Sequence, residues 1–450
     1  MISATAVASP HLVPTAPTLR QLDNGLTVIA EQMPVEAVNL SLWFRVGSAV
    51  EANAINGMAH FLEHMIFKGT SCLPTGEFER RIEARGGITN AMTSQDYTNF
   101  FITTAPQDFA SLAPLQIELV MNPRLTDTEF EQERVIILDE ILRANDNVRR
   151  RIFSHSMELA FERLPYRRPV LGSAEIVDSL TAEQMRQFHA HWYQPERITA
   201  VAVGNLPVEE LIETVASGFE QALATRQQAI PPYFSDANVY RSAPELPFSR
   251  VQRVEQVDSA LQQVRLVMTW RVPGLADIAQ TYPLDVLAST LARGRTTRLV
   301  KDLRERQQLV TSVSASNITY WQQGIFSISA QLPEENLEQV EAEILRHIVD
   351  VCQAPITDHE LCRVQTQVAN RYVFASESPS DRAGLYGYYQ TLAGQLEPAL
   401  TYPKEIQNLT SDTIQAAAQQ YLSPEAYGIL TLRPPGSGSG KPDGENSMAS

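Results

Sequence analysis

Cysteine is scarce in this sequence. Three occur among 450 residues, Cys72, Cys352 and Cys362, and no C-x-x-C pair is present. An odd, scattered set argues against a disulfide-stabilised secreted domain and provides no cysteine-based structural metal site. It favours a reducing compartment such as the cytoplasm, although large periplasmic proteins without disulfides share this pattern.

Long apolar runs and positive charge are also lacking. No stretch approaches the roughly 18 apolar residues that a membrane-spanning helix needs. Residues 1–19 contain three prolines and no Lys or Arg, which matches neither a secretory signal nor an Arg-rich transit peptide, so we expect a flexible arm there. The formal net charge of −16 argues against nucleic acid as a partner and favours basic or extended peptides.

The most informative motif is H-x-x-E-H at residues 60–64. We predict a helix over 56–68, on which residues i and i+4 share a face, so His60 and His64 can direct ring nitrogens at one Zn²⁺ ion. Glu63 lies close enough to reach a water on that metal. This order is the inverse of the H-E-x-x-H motif of zinc metallopeptidases. Taken alone, such a match also fits two ordinary histidines on a helix face.

A catalytic zinc site needs a third protein ligand. The predicted helix 127–145 carries Glu133 and Glu140 seven residues apart, and therefore on one face. One of them can bind the metal while the other supports the site from behind. Asp139 and Glu131 lie on the same segment, and helix geometry alone leaves the choice among these acids open.

The chain looks like a duplication. Residues 82–90 match 303–311, and residues 126–130 match 357–361, as expected for a repeated domain. The expected organisation begins with a flexible arm (1–19) and a zinc-bearing domain (20–223). A proline-containing linker (224–248) then leads to the second copy (249–433) and a disordered Gly/Ser/Pro-rich tail (434–450).

Within each copy, predicted strands and helices do not alternate regularly. This order favours an α+β fold in which helices pack on one face of a largely antiparallel sheet. In the second copy, Val364 and Arg371 take the places of Glu133 and Glu140. We therefore expect the second domain to shape the substrate site without holding a metal.

The acids and histidines occur in an order that resembles the pitrilysin-type inverzincin metallopeptidases. The resemblance is greatest to the branch of the mitochondrial processing peptidase beta subunit and its bacterial homologues, and it spans nearly the whole chain. It implies a zinc-dependent endopeptidase that hydrolyses peptides or unfolded segments, including presequence-like ones, with one Zn²⁺ per chain. In that family the positions of His60, His64 and Glu140 are the metal ligands. The position of Glu63 is the general base, and that of Glu133 is a supporting acid.

The resemblance also points to substrate-binding residues. Asn90, Ala91, Met92 and Thr93 match an edge strand that takes extended peptides by β-augmentation, although Asn90 is also an ordinary turn residue. Arg298 matches an arginine that holds the substrate backbone together with a tyrosine. The tyrosine position falls on Thr311, so half of this clamp is missing.

The incomplete clamp implies the zinc-bearing chain of a heterodimer whose partner is a homologous non-catalytic subunit. A self-sufficient homodimeric peptidase is one alternative. A non-enzymatic scaffold subunit is another, and it is disfavoured because such relatives generally lose the ligands. The bacterial homologues and the cysteine usage together predict a bacterial cytoplasmic protein. Mn²⁺ or Co²⁺ would be accepted by the same ligands.

Overall fold

The computed structural model describes residues 16–226 and 243–435. Among these, no helix is long and apolar enough to span a bilayer. The described residues form two compact units, each with one β-sheet. Unit 1 contains residues 16–142, 168–226 and 368–403, and unit 2 contains residues 143–167, 243–367 and 404–435.

Eleven strands are present in the described residues. In chain order, β1 to β11 are Thr18–Gln21, Thr27–Gln32, Val38–Phe44, Ile88–Thr93, Thr98–Thr104, Ile198–Gly204, Gln252–Val257, Val264–Pro273, Ser312–Ile318, Gln323–Leu332 and Gly428–Arg433.

Fourteen α-helices accompany them in the same part of the chain, together with a π-helix at Val300–Arg306. In chain order, α1 to α14 are Met58–Ile66, Glu77–Glu83, Pro106–Met121, Asp127–Asp146, Val148–Ala160, Ala174–Ser179, Ala182–Trp192, Val208–Thr225, Ile278–Ala292, Leu337–Gln353, Asp358–Phe374, Pro379–Ala393, Glu397–Asn408 and Ser411–Tyr421.

The two sheets share one strand topology over five strands, and unit 1 has β1 as an additional edge strand. Unit 1 has the order β1-β2-β6-β3-β5-β4, and unit 2 has β7-β11-β8-β10-β9. One pair in each sheet is parallel, β2 with β6 in unit 1 and β7 with β11 in unit 2, and every other recorded pairing is antiparallel. The predicted α+β class with two largely antiparallel sheets is confirmed, and the repeated order matches the duplication seen in the sequence.

Both faces of the unit 1 sheet are covered. One face packs on the helices of the first sequence half, as expected, and buries Leu40, Leu42 and Phe44. The other face packs on α12, which comes from the second half of the sequence, and buries Trp43. This second helical layer explains why every residue of β3 is buried.

A buried polar contact lies within the α12 layer. Glu31 on β2 is 1% exposed; it forms an ion pair with Arg382 and accepts a hydrogen bond from the Tyr386 hydroxyl at 2.9 Å. Burial raises the pKa of Glu31 despite these partners. Because a buried carboxylate left without its cation is costly, the pair fixes where α12 lies on the sheet.

The compact units differ from the predicted domains 20–223 and 249–433, because residues 368–403 pack in unit 1 and residues 143–167 in unit 2. Sequence similarity locates the repeated copies, whereas side-chain packing decides which segments are buried together. Most of the predicted arm, linker and tail lies outside the described residues. Where they are described, β1 begins at Thr18, and Glu245 is buried and accepts N–H groups from residues 162–164.

Two glycines on α12 give a matched test of its packing. A Cβ on Gly387 would lie 2.1 Å from Nε1 of Trp43, whereas a Cβ on Gly384 meets nothing within 4 Å. We expect Gly387→Ala to destabilise unit 1 by about 1–3 kcal/mol through overpacking. Gly384→Ala should stabilise the helix by about 0.5–1 kcal/mol. Thermal unfolding of both variants checks this, and equal melting temperatures would contradict it.

Candidate functional site

Helix α1 carries the H-x-x-E-H motif, and its start is fixed by a buried carboxylate. Glu51 accepts hydrogen bonds from the backbone N–H groups of Gly57 at 2.9 Å and Ala59 at 2.7 Å, which have no partner within the helix. Burial raises the pKa of Glu51 to about 7, against these hydrogen bonds. Gly57 has φ +101, and a Cβ there would lie 2.6 Å from the Leu171 carbonyl oxygen, so the turn into α1 requires glycine.

Helix α4 brings the acidic residues to α1. At its start, Thr126 Oγ1 accepts the Glu129 N–H at 3.2 Å, which caps the helix N-terminus. Phe130 on α4 stacks on Phe61 of α1, with ring centroids 4.4 Å apart. This buried aromatic contact fixes the separation of the two helices beside the motif.

Two histidines and one acid converge between these helices. Nε2 of His60 and Nε2 of His64 are each 3.6 Å from Oε2 of Glu140, and ligand atoms from all three residues lie within 4.8 Å of one another. Two donors of a tetrahedral zinc ion are about 3.4 Å apart when each bond is about 2.1 Å. The donor set and its spacing therefore fit Zn²⁺. Of the acids that helix geometry left open, Glu140 joins this cluster.

Glu133 contacts His64 on the side away from Glu140. Nδ1–H of His64 donates to Oε1 of Glu133 at 2.9 Å, because a carboxylate can only accept. Oε2 of Glu133 is 2.5 Å from Nζ of Lys68. Burial raises the pKa of Glu133, but the bonds from His64 and Lys68 outweigh it and leave the pKa below its usual range.

Lys68 was missed in the sequence analysis. It stands four residues after His64, as His64 stands four after His60, and this i, i+4 spacing was the signal that could have identified it. Its ammonium group contacts the same Glu133 carboxylate that His64 contacts. Lys68 therefore belongs to the same side-chain cluster.

Glu63 contacts the edge strand. Thr93 Oγ1–H donates to Oε2 of Glu63 at 2.5 Å. Burial raises the pKa of the Glu63 carboxyl, with the Thr93 hydrogen bond opposing it. Thr93 was expected to bind substrate, and its hydroxyl contacts Glu63, the expected general base.

The other expected peptide-binding residues lie along β4. Among the described strands, β4 pairs with β5 on one side and is the end strand of its sheet. Asn90 lies within the strand rather than in a turn. Ile88 is 63% exposed and Met92 46% exposed. An exposed edge with apolar side chains can accept another extended segment.

Arg298 is part of unit 2, and there it forms a bidentate ion pair with Glu360, with distances of 2.7 and 2.8 Å. Thr311 donates its N–H to the Gln331 carbonyl and its hydroxyl to Gln263. Arg298 and Thr311, which occupy the two expected clamp positions, therefore both have hydrogen-bond partners within unit 2.

Unit 2 contains another cluster, formed by Asp302, Glu343 and His347. Its acids are bound by cations: Asp302 contacts Arg306 at 2.5 Å and Arg346 at 2.6 Å. Burial raises the pKa of Asp302, but hydrogen bonds from Gln307 and His347 reverse this and lower it to about 2. Because its oxygens are already bound, this cluster is an ion-pair network.

Comparison with known families and proteins gives consistent matches. Residues 26–174 match the family model "Insulinase (Peptidase family M16)", and residues 179–368 match "Peptidase M16 inactive domain". An uncharacterized zinc protease of Mycobacterium tuberculosis strain H37Rv is 28% identical over 426 residues, 94% of each chain. Zinc protease PqqE of Helicobacter pylori is 26% identical over 420 residues, 92% of each chain.

Solved structures share the fold. A protease from Helicobacter pylori superposes with a TM-score of 0.83 at 24% identity, covering 94% of this chain and 100% of that one. A peptidase M16 inactive domain from Pseudomonas fluorescens superposes with a TM-score of 0.81 at 19% identity, covering 93% and 98%. Since two M16 models match consecutive parts of the sequence and the fold is shared along nearly its whole length, the chain belongs to the M16, or pitrilysin-type, peptidase family.

Proposed function

We propose that this chain is a zinc-dependent endopeptidase that hydrolyses peptides or unfolded segments. The observation that carries this proposal is the convergence of His60, His64 and Glu140, with Glu63 next to His64 in the sequence. The match of residues 26–174 to a peptidase model and the relatives named zinc protease support it. The retained ligand set also disfavours the scaffold alternative.

In this proposal His60, His64 and Glu140 hold one ion per chain. A bound Zn²⁺ polarises the scissile carbonyl and makes a water molecule more acidic. Glu63 takes the proton of the attacking water and delivers it to the leaving nitrogen. Thr93 orients the Glu63 carboxylate through its hydrogen bond.

Glu133 acts through His64 rather than on substrate. By accepting Nδ1–H of His64, it selects the tautomer whose Nε2 lone pair is available to a metal. The family resemblance implied a supporting acid, and the contact favours a positioning role for it.

An extended peptide would bind along β4. Asn90, Ala91 and Met92 lie on β4, which is the end strand of the unit 1 sheet among the described strands; main-chain hydrogen bonds along such an edge give affinity without strict sequence preference. β4 ends at Thr93, which contacts Glu63. A peptide bound along this edge would therefore lie beside the proposed base.

We further propose that the chain is the catalytic member of a heterodimer with a homologous non-catalytic subunit, acting on basic peptides in the bacterial cytoplasm. Thr311 in place of tyrosine and the ion pair that holds Arg298 support a need for substrate contacts from a partner. The net charge of −16 supports basic substrates. The three free cysteines support a reducing compartment such as the cytoplasm.

Metal content provides the first test. We expect purified protein to hold about one equivalent of Zn²⁺ per chain, and His64→Ala to lose most of it. His155→Ala is a matched control, because the two histidine side chains are 28% and 29% exposed and each contacts a glutamate. Elemental analysis measures both, and undiminished zinc in His64→Ala would refute the ligand assignment.

Replacing the proposed general base, Glu63, provides the second test. Glu63→Gln should retain zinc and fold while hydrolysis of an unfolded peptide falls by about 10²–10⁴-fold. Glu83→Gln, on an exposed position of α2, is the control and should keep its activity. Near-normal turnover by Glu63→Gln with full zinc content would assign water activation to another group.

The partner is tested by mixing. We expect weak hydrolysis of a basic, presequence-like peptide by this chain alone, and a marked rise when a homologous subunit with the arginine and tyrosine but without zinc ligands is added. Full activity of the isolated chain, unchanged by that subunit, would favour the self-sufficient homodimer.

A further inference from the structure

We propose that Lys68 is a positioning residue for the metal site and that it acts through Glu133; this inference rests on the proposed zinc function. Both oxygens of Glu133 are bound, Oε1 by His64 and Oε2 by Lys68. The Glu133 side chain is 5% exposed. The carboxylate is therefore held from two sides in a largely dry environment.

The backbone fixes where Lys68 begins. Its N–H donates to the Met65 carbonyl at 3.0 Å, and its carbonyl accepts Thr75 Oγ1–H at 2.7 Å. Gly69 follows with φ +92, and a Cβ there would lie 2.3 Å from the Leu73 carbonyl oxygen. The lysine side chain therefore extends from a defined turn directly after α1.

The two ends of this contact come from different helices. His64 and the turn at Lys68 belong to the α1 segment, whereas Glu133 lies on α4 together with Glu140. Lys68 thus ties the end of α1 to the helix that supplies the third ligand. Holding Oε2 of Glu133 also keeps Oε1 directed at Nδ1 of His64, which orients the imidazole.

Charge gives Lys68 a second, opposing effect on metal binding. Its ammonium group repels a nearby cation, so its removal alone would strengthen binding. That repulsion is the same whether residue 133 is Glu or Gln. The positioning effect, in contrast, needs the Glu133 carboxylate. A double-mutant cycle separates the two effects.

The experiment measures zinc affinity by chelator competition, without substrate, for wild type, Lys68→Met, Glu133→Gln and the double variant. Outer-sphere partners typically contribute about 10–100-fold in metal affinity. We expect Lys68→Met to weaken binding at least tenfold more when residue 133 is Glu than when it is Gln. Lys68→Arg, which keeps the charge and donors, should restore most of the affinity.

Arg20→Met is the control, because Arg20 forms an exposed ion pair with Glu209 elsewhere in unit 1. The zinc affinity of this variant should equal that of wild type. Lys68→Gln gives a second cycle if Lys68→Met does not fold, as judged by circular dichroism. If the lysine change alters zinc affinity equally with Glu and with Gln at residue 133, the positioning role of Lys68 is overturned. The proposed zinc function would be unaffected by that result. A wild-type chain that binds no zinc would overturn the proposed function as well.

Discussion

The packing of α1 against α4 is the contact on which the candidate site depends. Phe61 and Phe130 stack in its centre, and the polar side chains on either side of that stack meet across the same interface. Neither helix holds a complete ligand set. A shift of one helix along the other by a single residue, about 1.5 Å, would separate Glu140 from both histidines. The apolar core is therefore what positions the chemistry.

Buried carboxylates stabilise unit 1 at three separate places. Glu51 holds the start of α1, Glu133 the end of α1 against α4, and Glu31 the α12 layer on the sheet. Each is almost fully buried and each has dedicated donors. Because a buried charge without partners is strongly destabilising, such groups specify one arrangement more sharply than apolar packing does.

The two copies share the topology of five strands but differ in the residues placed on their helices. In unit 1 the helix after the strands carries Glu133, whereas in unit 2 the matching position holds Val364, which is fully buried. A valine needs no partner, so the second copy lost the requirement for a cation and a histidine at that point. Its remaining acidic cluster is neutralised by arginines.

The sequence by itself determined the family resemblance, the duplicated α+β plan and the candidate ligands, because these depend on local spacing: i, i+4 for His60 and His64, and i, i+7 for Glu133 and Glu140. It did not reveal the contacts of Lys68 with Glu133 or of Thr93 with Glu63, nor the packing of α12 in unit 1. These join residues that are distant along the chain, and no periodicity encodes them. Tertiary structure decided that Glu140 lies beside Nε2 of both histidines while Glu133 contacts Nδ1 of His64, because these positions depend on how two helices pack.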